Sequence, residues 1–114
     1  MVGRAYVGVS TLAERTLVVV TGPVGGGKST VALVLAQQFR EMGRPSAVID
    51  LDLVYCMVRQ VEGFGEQNVW MTARRGASTL VDAFFSEGME VVIVEGEFFT
   101  RRVRCIAQQY RHAH

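Results

Sequence analysis

The tightest constraint on this chain is the octapeptide Gly22-Pro23-Val24-Gly25-Gly26-Gly27-Lys28-Ser29, because of what stands on either side of it. Before it comes Thr16–Thr21, TLVVVT, a β-branched apolar run too short for a helix and bounded by Gly22. Such a run reads as a strand buried on both faces. After it, Val31, Leu35 and Phe39 recur along one stripe with Ala32 and Ala36 beside them, which predicts a helix over Lys28–Met42. Gly43 is its stop, with Pro45 just beyond. A glycine-rich turn joining a buried strand to a helix can curl its backbone N–H groups around an anion. The helix aims its positive end into the same nest. The pattern is G-x-x-x-x-G-K-[ST] in full, and each part has a task. Lys28 can bridge the β- and γ-phosphates of a nucleotide, and the Ser29 hydroxyl, followed by Thr30, can face Mg²⁺. Gly22 through Thr30 is therefore the candidate nucleotide-binding segment, for ATP or GTP with Mg²⁺.

The remainder of the chain continues the alternation. Ser46–Leu51, SAVIDL, predicts a second buried strand, and Leu53–Glu62 a short helix closed by Gly63 and Gly65. Asn68 is the expected cap of a longer helix to Glu87, with Ala73, Ala77, Val81 and Phe85 at four-residue spacing and Gly88 as its stop. Glu90–Val94 predicts a third buried strand and Thr100–Tyr110 a last helix. Continuous apolar strands alternating with helices imply an α/β fold, a parallel β-sheet with helices on both faces and right-handed crossovers. Residues 1–15 read as a loose leader with a short strand around Ala5–Val9, and residues 16–114 as the nucleotide-binding domain.

Ligands on such a sheet sit beyond the carboxyl ends of the strands, and the acids of this chain collect there. Asp50 and Asp52 end the second strand. If that segment stays extended, both carboxylates point to one face and can hold Mg²⁺ through water or take a proton from an attacking hydroxyl. The competing structural reading has Asp52 capping the next helix and Asp50 merely solvated. Glu95 and Glu97 follow the third strand in VVIVEGE. Glu95 stands where a carboxylate can orient Mg²⁺ or water. The metal candidates are thus Ser29, Asp50 and Glu95, and the catalytic candidates Lys28, Asp52, Asp50 and Arg74. Arg74, Arg75, Arg101, Arg102 and Arg104 can clamp a phosphorylated substrate, although helix surfaces carry many solvated arginines. Tyr55, Met57, Trp70 and Met71 lie where an acceptor would, or else pack the core.

Composition excludes more than it selects. The 114 residues are 49% hydrophobic and 20% charged with a net charge of +1, which is globular and offers no whole-protein case for nucleic acid. No apolar run is long enough to span a membrane. Cys56 and Cys105 lack metal-ligand spacing and read as reduced thiols, consistent with a cytoplasmic protein.

Together TGPVGGGKST, AVIDLDLVY and VVIVEGEFF resemble the first half of a P-loop small-molecule kinase. The group concerned contains adenylylsulfate kinases, shikimate and gluconate kinases, chloramphenicol phosphotransferase and zeta-toxin-like ATP-binding proteins. The resemblance runs from about Leu17 to Phe99. It implies a P-loop NTPase fold of the nucleoside-kinase-like kind, with the octapeptide as its Walker A loop. It also implies transfer of a phosphoryl group from ATP to a small-molecule hydroxyl. Asp52, or else Asp50, would be the acceptor-side base, Mg²⁺ would lie between Ser29 and the strand-end acids, and Arg74 would lie near an acceptor that the resemblance does not identify. Kinases of this group have five parallel strands, a lid and a base-binding loop. Only three strands are visible here, so the expectation is the N-terminal part of the fold, with an unpaired edge on the first strand through which copies self-associate. A nucleotide-binding module without catalysis, and an NTPase using Glu95, remain open beside the kinase reading.

Overall fold

The computed structural model describes residues 6–12, 14–22, 27–58 and 65–96. In chain order the elements are β1 (Tyr6–Leu12), β2 (Arg15–Thr21), α1 (Lys28–Glu41), β3 (Ser46–Asp50), α2 (Leu51–Val58), α3 (Glu66–Ser86) and β4 (Val91–Gly96). The expected helix at Thr100–Tyr110 lies outside the described residues.

The sheet runs β1-β2-β4-β3. β4 pairs in parallel with β2 on one side and β3 on the other. The chain thus moves outward from β2 to β3 and returns to β4. With one crossover hand, such a path puts the intervening helices on opposite faces, and they lie there. On one face Leu17, Val19, Val92 and Val94 pack with Ile49 against Leu51 and Val54 of α2 and against Ala73, Ala77, Val81 and Phe85 of α3. On the other, Val18, Val20, Val91 and Ile93 pack against Ala32 and Ala36 of α1. Alternate residues of β2 and β4 therefore enter different cores, which is why both strands read as unbroken apolar runs. Each fully buried valine, leucine or isoleucine contributes about 1.5–3 kcal/mol.

Both crossover helices that lead into a strand end the same way. Gly43 has φ 78° and Gly88 φ 103°. Beyond them, Arg44 N–H donates to the Phe39 carbonyl at 2.9 Å and Met89 N–H to the Phe84 carbonyl at 3.0 Å. These six-to-one bonds satisfy carbonyls that the helices leave open and require a left-handed residue in between. A Cβ at Gly88 would meet nothing within 4 Å, so a side chain there suffers only backbone strain. Gly88→Ala is expected to destabilise by about 1 kcal/mol, a fall of roughly 4–8 °C in the melting midpoint by circular dichroism. An unchanged midpoint would refute this account of the turn.

Three expectations need correction. The segment that was expected to hold only a short strand carries the full β1, antiparallel to β2 from Tyr6↔Thr21 to Leu12↔Arg15. The edge of β2 expected to lie open is therefore covered. Asn68 lies inside α3, whose N-cap is Gly65, with φ 85° and no side-chain cap bond. A glycine backbone makes that entry, where a polar cap was expected. Finally, the second strand ends at Asp50 and α2 begins at Leu51. Asp50 and Asp52 are thus not two residues of one extended segment, and the same-face argument for them fails.

Candidate functional site

The parallel strands β2, β3 and β4 end together, with Thr21 opposite Gly96 and Asp50 opposite Glu95. Gly22, the first loop residue, is buried directly beyond β2. Pro23, Val24, Gly25 and Gly26 lie outside the described residues. Gly27 closes the loop with φ 78° as the N-cap of α1, and its carbonyl accepts the Val31 N–H at 2.9 Å. Lys28, Ser29 and Thr30 form the first turn of α1, with Lys28 half-buried and Thr30 exposed. That turn has no acidic residue and no side-chain cap, so its N–H groups remain available to an anion.

Ser29 meets Glu95 across 66 residues of sequence. Its Oγ donates to the Glu95 carboxylate, 3.1 Å from Oε1 and 3.0 Å from Oε2. Glu95 sits in the central strand with Val20 on one side and Asp50 on the other, and is only 4% exposed. A carboxylate in that position is costly to ionise. Burial pushes its pKa above the usual 4.5, and the neighbouring Asp50 pushes the same way, while the Ser29 hydroxyl and the Lys28 charge pull it back.

Asp50 has a second task. Its Oδ1 accepts the backbone N–H of Asp52 at 2.9 Å and of Leu53 at 3.3 Å, which makes it the cap of α2. The competing reading of the sequence assigned capping to Asp52. The sequence around it, IDLDL, offers the turn two acids and does not say which one folds back. Asp52 stands half-buried in the first turn of α2.

Arg74 lies half-buried on α3, and its Nε is fully buried without a hydrogen-bond partner among the described residues. α3 packs against α2 with Gly76 beside Val54, where a Cβ would lie at an ordinary 3.7 Å from Val54 Cγ1. Across the same helix pair Tyr55 and Trp70 stack with ring centroids 4.1 Å apart. The two rings, fifteen positions apart on different helices, are both partly buried against the core, one of the two roles the sequence left open for them. The structure thus joins Ser29, Glu95 and Asp50 into one cluster and leaves Asp52 and Arg74 on the flanking helices. Glu97, Arg101, Arg102 and Arg104 lie outside the described residues.

A family model described as adenylylsulphate kinase matches residues 14–110, most of the chain. This chain belongs to the adenylylsulphate kinase family. The strand–loop–helix unit and the acid at the end of β4 both lie inside the matched span. It also makes a kinase-like, nucleotide-binding protein of the chain, with the P-loop small-molecule kinase fold that its parallel strands and flanking helices display. β1 precedes the adenylylsulphate kinase match, so it is an addition to the part of the chain that the family model describes. No curated protein and no solved structure matches the chain. Among the described residues, no helix is long and apolar enough to cross a membrane.

Proposed function

We propose that this protein binds ATP with Mg²⁺ and transfers the γ-phosphoryl group to a hydroxyl of a small-molecule acceptor. The family's name makes adenylylsulphate the first acceptor to try. The reading rests on the contact between Ser29 and Glu95, which brings the loop hydroxyl and a buried strand-end acid within 3.0 Å of each other.

The donors suit Mg²⁺. A hydroxyl and carboxylates are hard oxygen ligands, and Mg²⁺ is commonly held by one or two carboxylates with water and phosphate oxygens completing its shell. Groups of three or more acid, histidine or cysteine side chains that could cage a metal by themselves are absent among the described residues. The ion would therefore arrive with the nucleotide. Burial first, and then the neighbouring Asp50, raise the pKa of Glu95, and a cation at the loop would favour its charged form. Ser29, Asp50 and Glu95 would hold Mg²⁺, which when bound neutralises charge on the phosphates.

In this reading Gly22 through Thr30 cradle the phosphates, and Lys28 bridges the β- and γ-groups. The acceptor oxygen bonds to the γ-phosphorus, the bond from that phosphorus to the bridging oxygen breaks, and ADP leaves with the electron pair. Asp52 accepts the hydroxyl proton and Arg74 clamps an anionic part of the acceptor. The nucleotide-binding domain spans residues 16–114 and works in the cytoplasm.

The test is ADP formation by purified protein with ATP and Mg²⁺, with and without adenylylsulphate, beside calorimetric titration with ATP. The expected result is ADP formation that depends on the acceptor. Phosphate release at the same rate without it would make the protein a hydrolase. Binding with no turnover would reduce it to a nucleotide-binding module, and no binding would overturn the site itself.

A further inference from the structure

β1 runs antiparallel to β2, so its first residue stands at the carboxyl end of the parallel strands. Tyr6 pairs with Thr21, the residue before Gly22 and the phosphate loop. Opposed residues in such a ladder have Cα atoms about 4.5–5.5 Å apart, which puts Tyr6 beside the start of the loop. Its side is 67% exposed. Every other aromatic ring among the described residues packs against a core. Tyr55, Trp70, Phe84 and Phe85 do so on one face of the sheet, and Phe39 on the other. A tyrosine on an edge strand can serve strand propensity alone. What singles out Tyr6 is where the nucleotide has to lie.

That direction follows from the order of the strands. Asp50 ends β3 at one edge of the sheet, and Asp52, the proposed base, stands next to it in the first turn of α2. The attacking and leaving oxygens are roughly in line through the γ-phosphorus. An acceptor held beside Asp52 therefore expels ADP away from β3, past the ends of β4 and β2, toward β1. Lys28 and the loop receive the phosphates. The base lies farther along the same line, and the Ser29, Asp50 and Glu95 cluster offers it no flat apolar surface.

We propose that Tyr6 is the platform on which the nucleotide base stacks. The proposal rests on the phosphoryl-transfer reading above and adds a residue for the part of the nucleotide that the cluster does not hold. A ring face accepts adenine and guanine alike, so Tyr6 contributes affinity without choosing between them. It lies outside the matched residues 14–110, so the platform belongs to the strand that this chain adds to the family match.

The test is calorimetric titration of the full chain and its variants with ATP, GTP and inorganic triphosphate, each with Mg²⁺. Tyr6→Val keeps a residue suited to a strand but removes the ring. It should weaken ATP and GTP alike by at least ~5-fold, the lower end of what stacking one base on a ring contributes. Triphosphate, which has no base, should bind as it does to wild type. Tyr6→Phe should retain the ATP affinity, and far-UV circular dichroism should be unchanged in both variants. In the wild-type chain the Tyr6 ring protons should shift upfield with ATP and stay in place with triphosphate, a readout that needs no variant. Lys28→Ala, by contrast, should lose nucleotide and triphosphate together. Unchanged ATP affinity in Tyr6→Val, or ring protons that ignore ATP, overturns the proposal and leaves the phosphate site standing. Equal weakening of triphosphate and ATP also overturns it, because β1 would then act through the loop. So does a loss in Tyr6→Phe as large as in Tyr6→Val, which would assign the contact to the hydroxyl. A wild-type chain that binds neither ATP nor triphosphate overturns the nucleotide reading and this proposal with it.

Discussion

Lys28→Ala is expected to weaken ATP binding ~100- to 1,000-fold in calorimetry while the chain remains folded. Charge-assisted hydrogen bonds contribute about 1.5–3 kcal/mol each, and a lysine that touches two phosphate groups makes two of them. Losing about 3–4 kcal/mol corresponds to that range of affinity. The fold should not suffer. The buried side of α1 is Ala32 and Ala36, one turn and two turns further on, and alanine is the better helix former. The first turn of α1 has no other cation, and its neighbours Asp50 and Glu95 are acidic. Removing the ammonium group therefore leaves the phosphates facing uncompensated carboxylates. Lys28→Arg should recover part of the binding through charge but not the wild-type affinity, because a planar guanidinium reaches the phosphates along different directions. ATP affinity within threefold of wild type in the alanine variant would sink the nucleotide site as described.

Much of this was legible in the sequence, and the reasons differ by element. β2 and β4 are unbroken apolar runs because each feeds two cores, and a strand buried on both faces leaves the clearest mark that a strand can. The α1 and α3 stripes carry alanine where helix must press against sheet, and Gly43 and Gly88 stop their helices through a backbone conformation that side chains resist. The Ser29–Glu95 pair was reachable too, because parallel strands put all carboxyl ends on one side.

What the sequence left undecided depended on which of two competing polar groups folds back. At IDLDL either acid can cap a helix, and a shift of the helix start by a residue or two decides it. Asp50 took that role because β3 stops at it. At α3 the helix starts three positions before the expected capping residue, Asn68, at Gly65, whose φ of 85° a side chain would resist. β1 was the hardest. YVGVSTL has a glycine in its middle and short polar residues at its end, so its periodicity is weak, and its place in the sheet comes from the open side of β2 rather than from a pattern of its own. Its pairing is a tertiary fact, set by what the neighbouring strand lacks.

Glu95→Gln should have two opposite effects, and together they separate a functional acid from a merely buried one. In the wild type the folded state holds the Glu95 proton more tightly than the unfolded chain does, because burial and Asp50 raise its pKa above 4.5. Between the unfolded value and the raised folded value the native state thus binds more protons, so stability falls as pH rises through that window, and the loss is complete above it. Glutamine does not titrate. Its oxygen can still accept from Ser29 and its amide can donate to Asp50, so the variant avoids the penalty without a cavity. At pH 7–8 the nucleotide-free variant is expected to melt higher than wild type by about 2–5 °C, a difference that closes as the pH is lowered below the window. With Mg²⁺ and ATP present the order should reverse. The cluster that would hold the ion has lost one charge of two, so the nucleotide-induced rise in melting temperature should largely vanish and turnover should fall at least ~100-fold. If the variant melted lower than wild type without nucleotide and kept the full nucleotide-induced shift, Glu95 would be a structural acid held in place by Ser29. In that case the end of β4 would have no part in the chemistry.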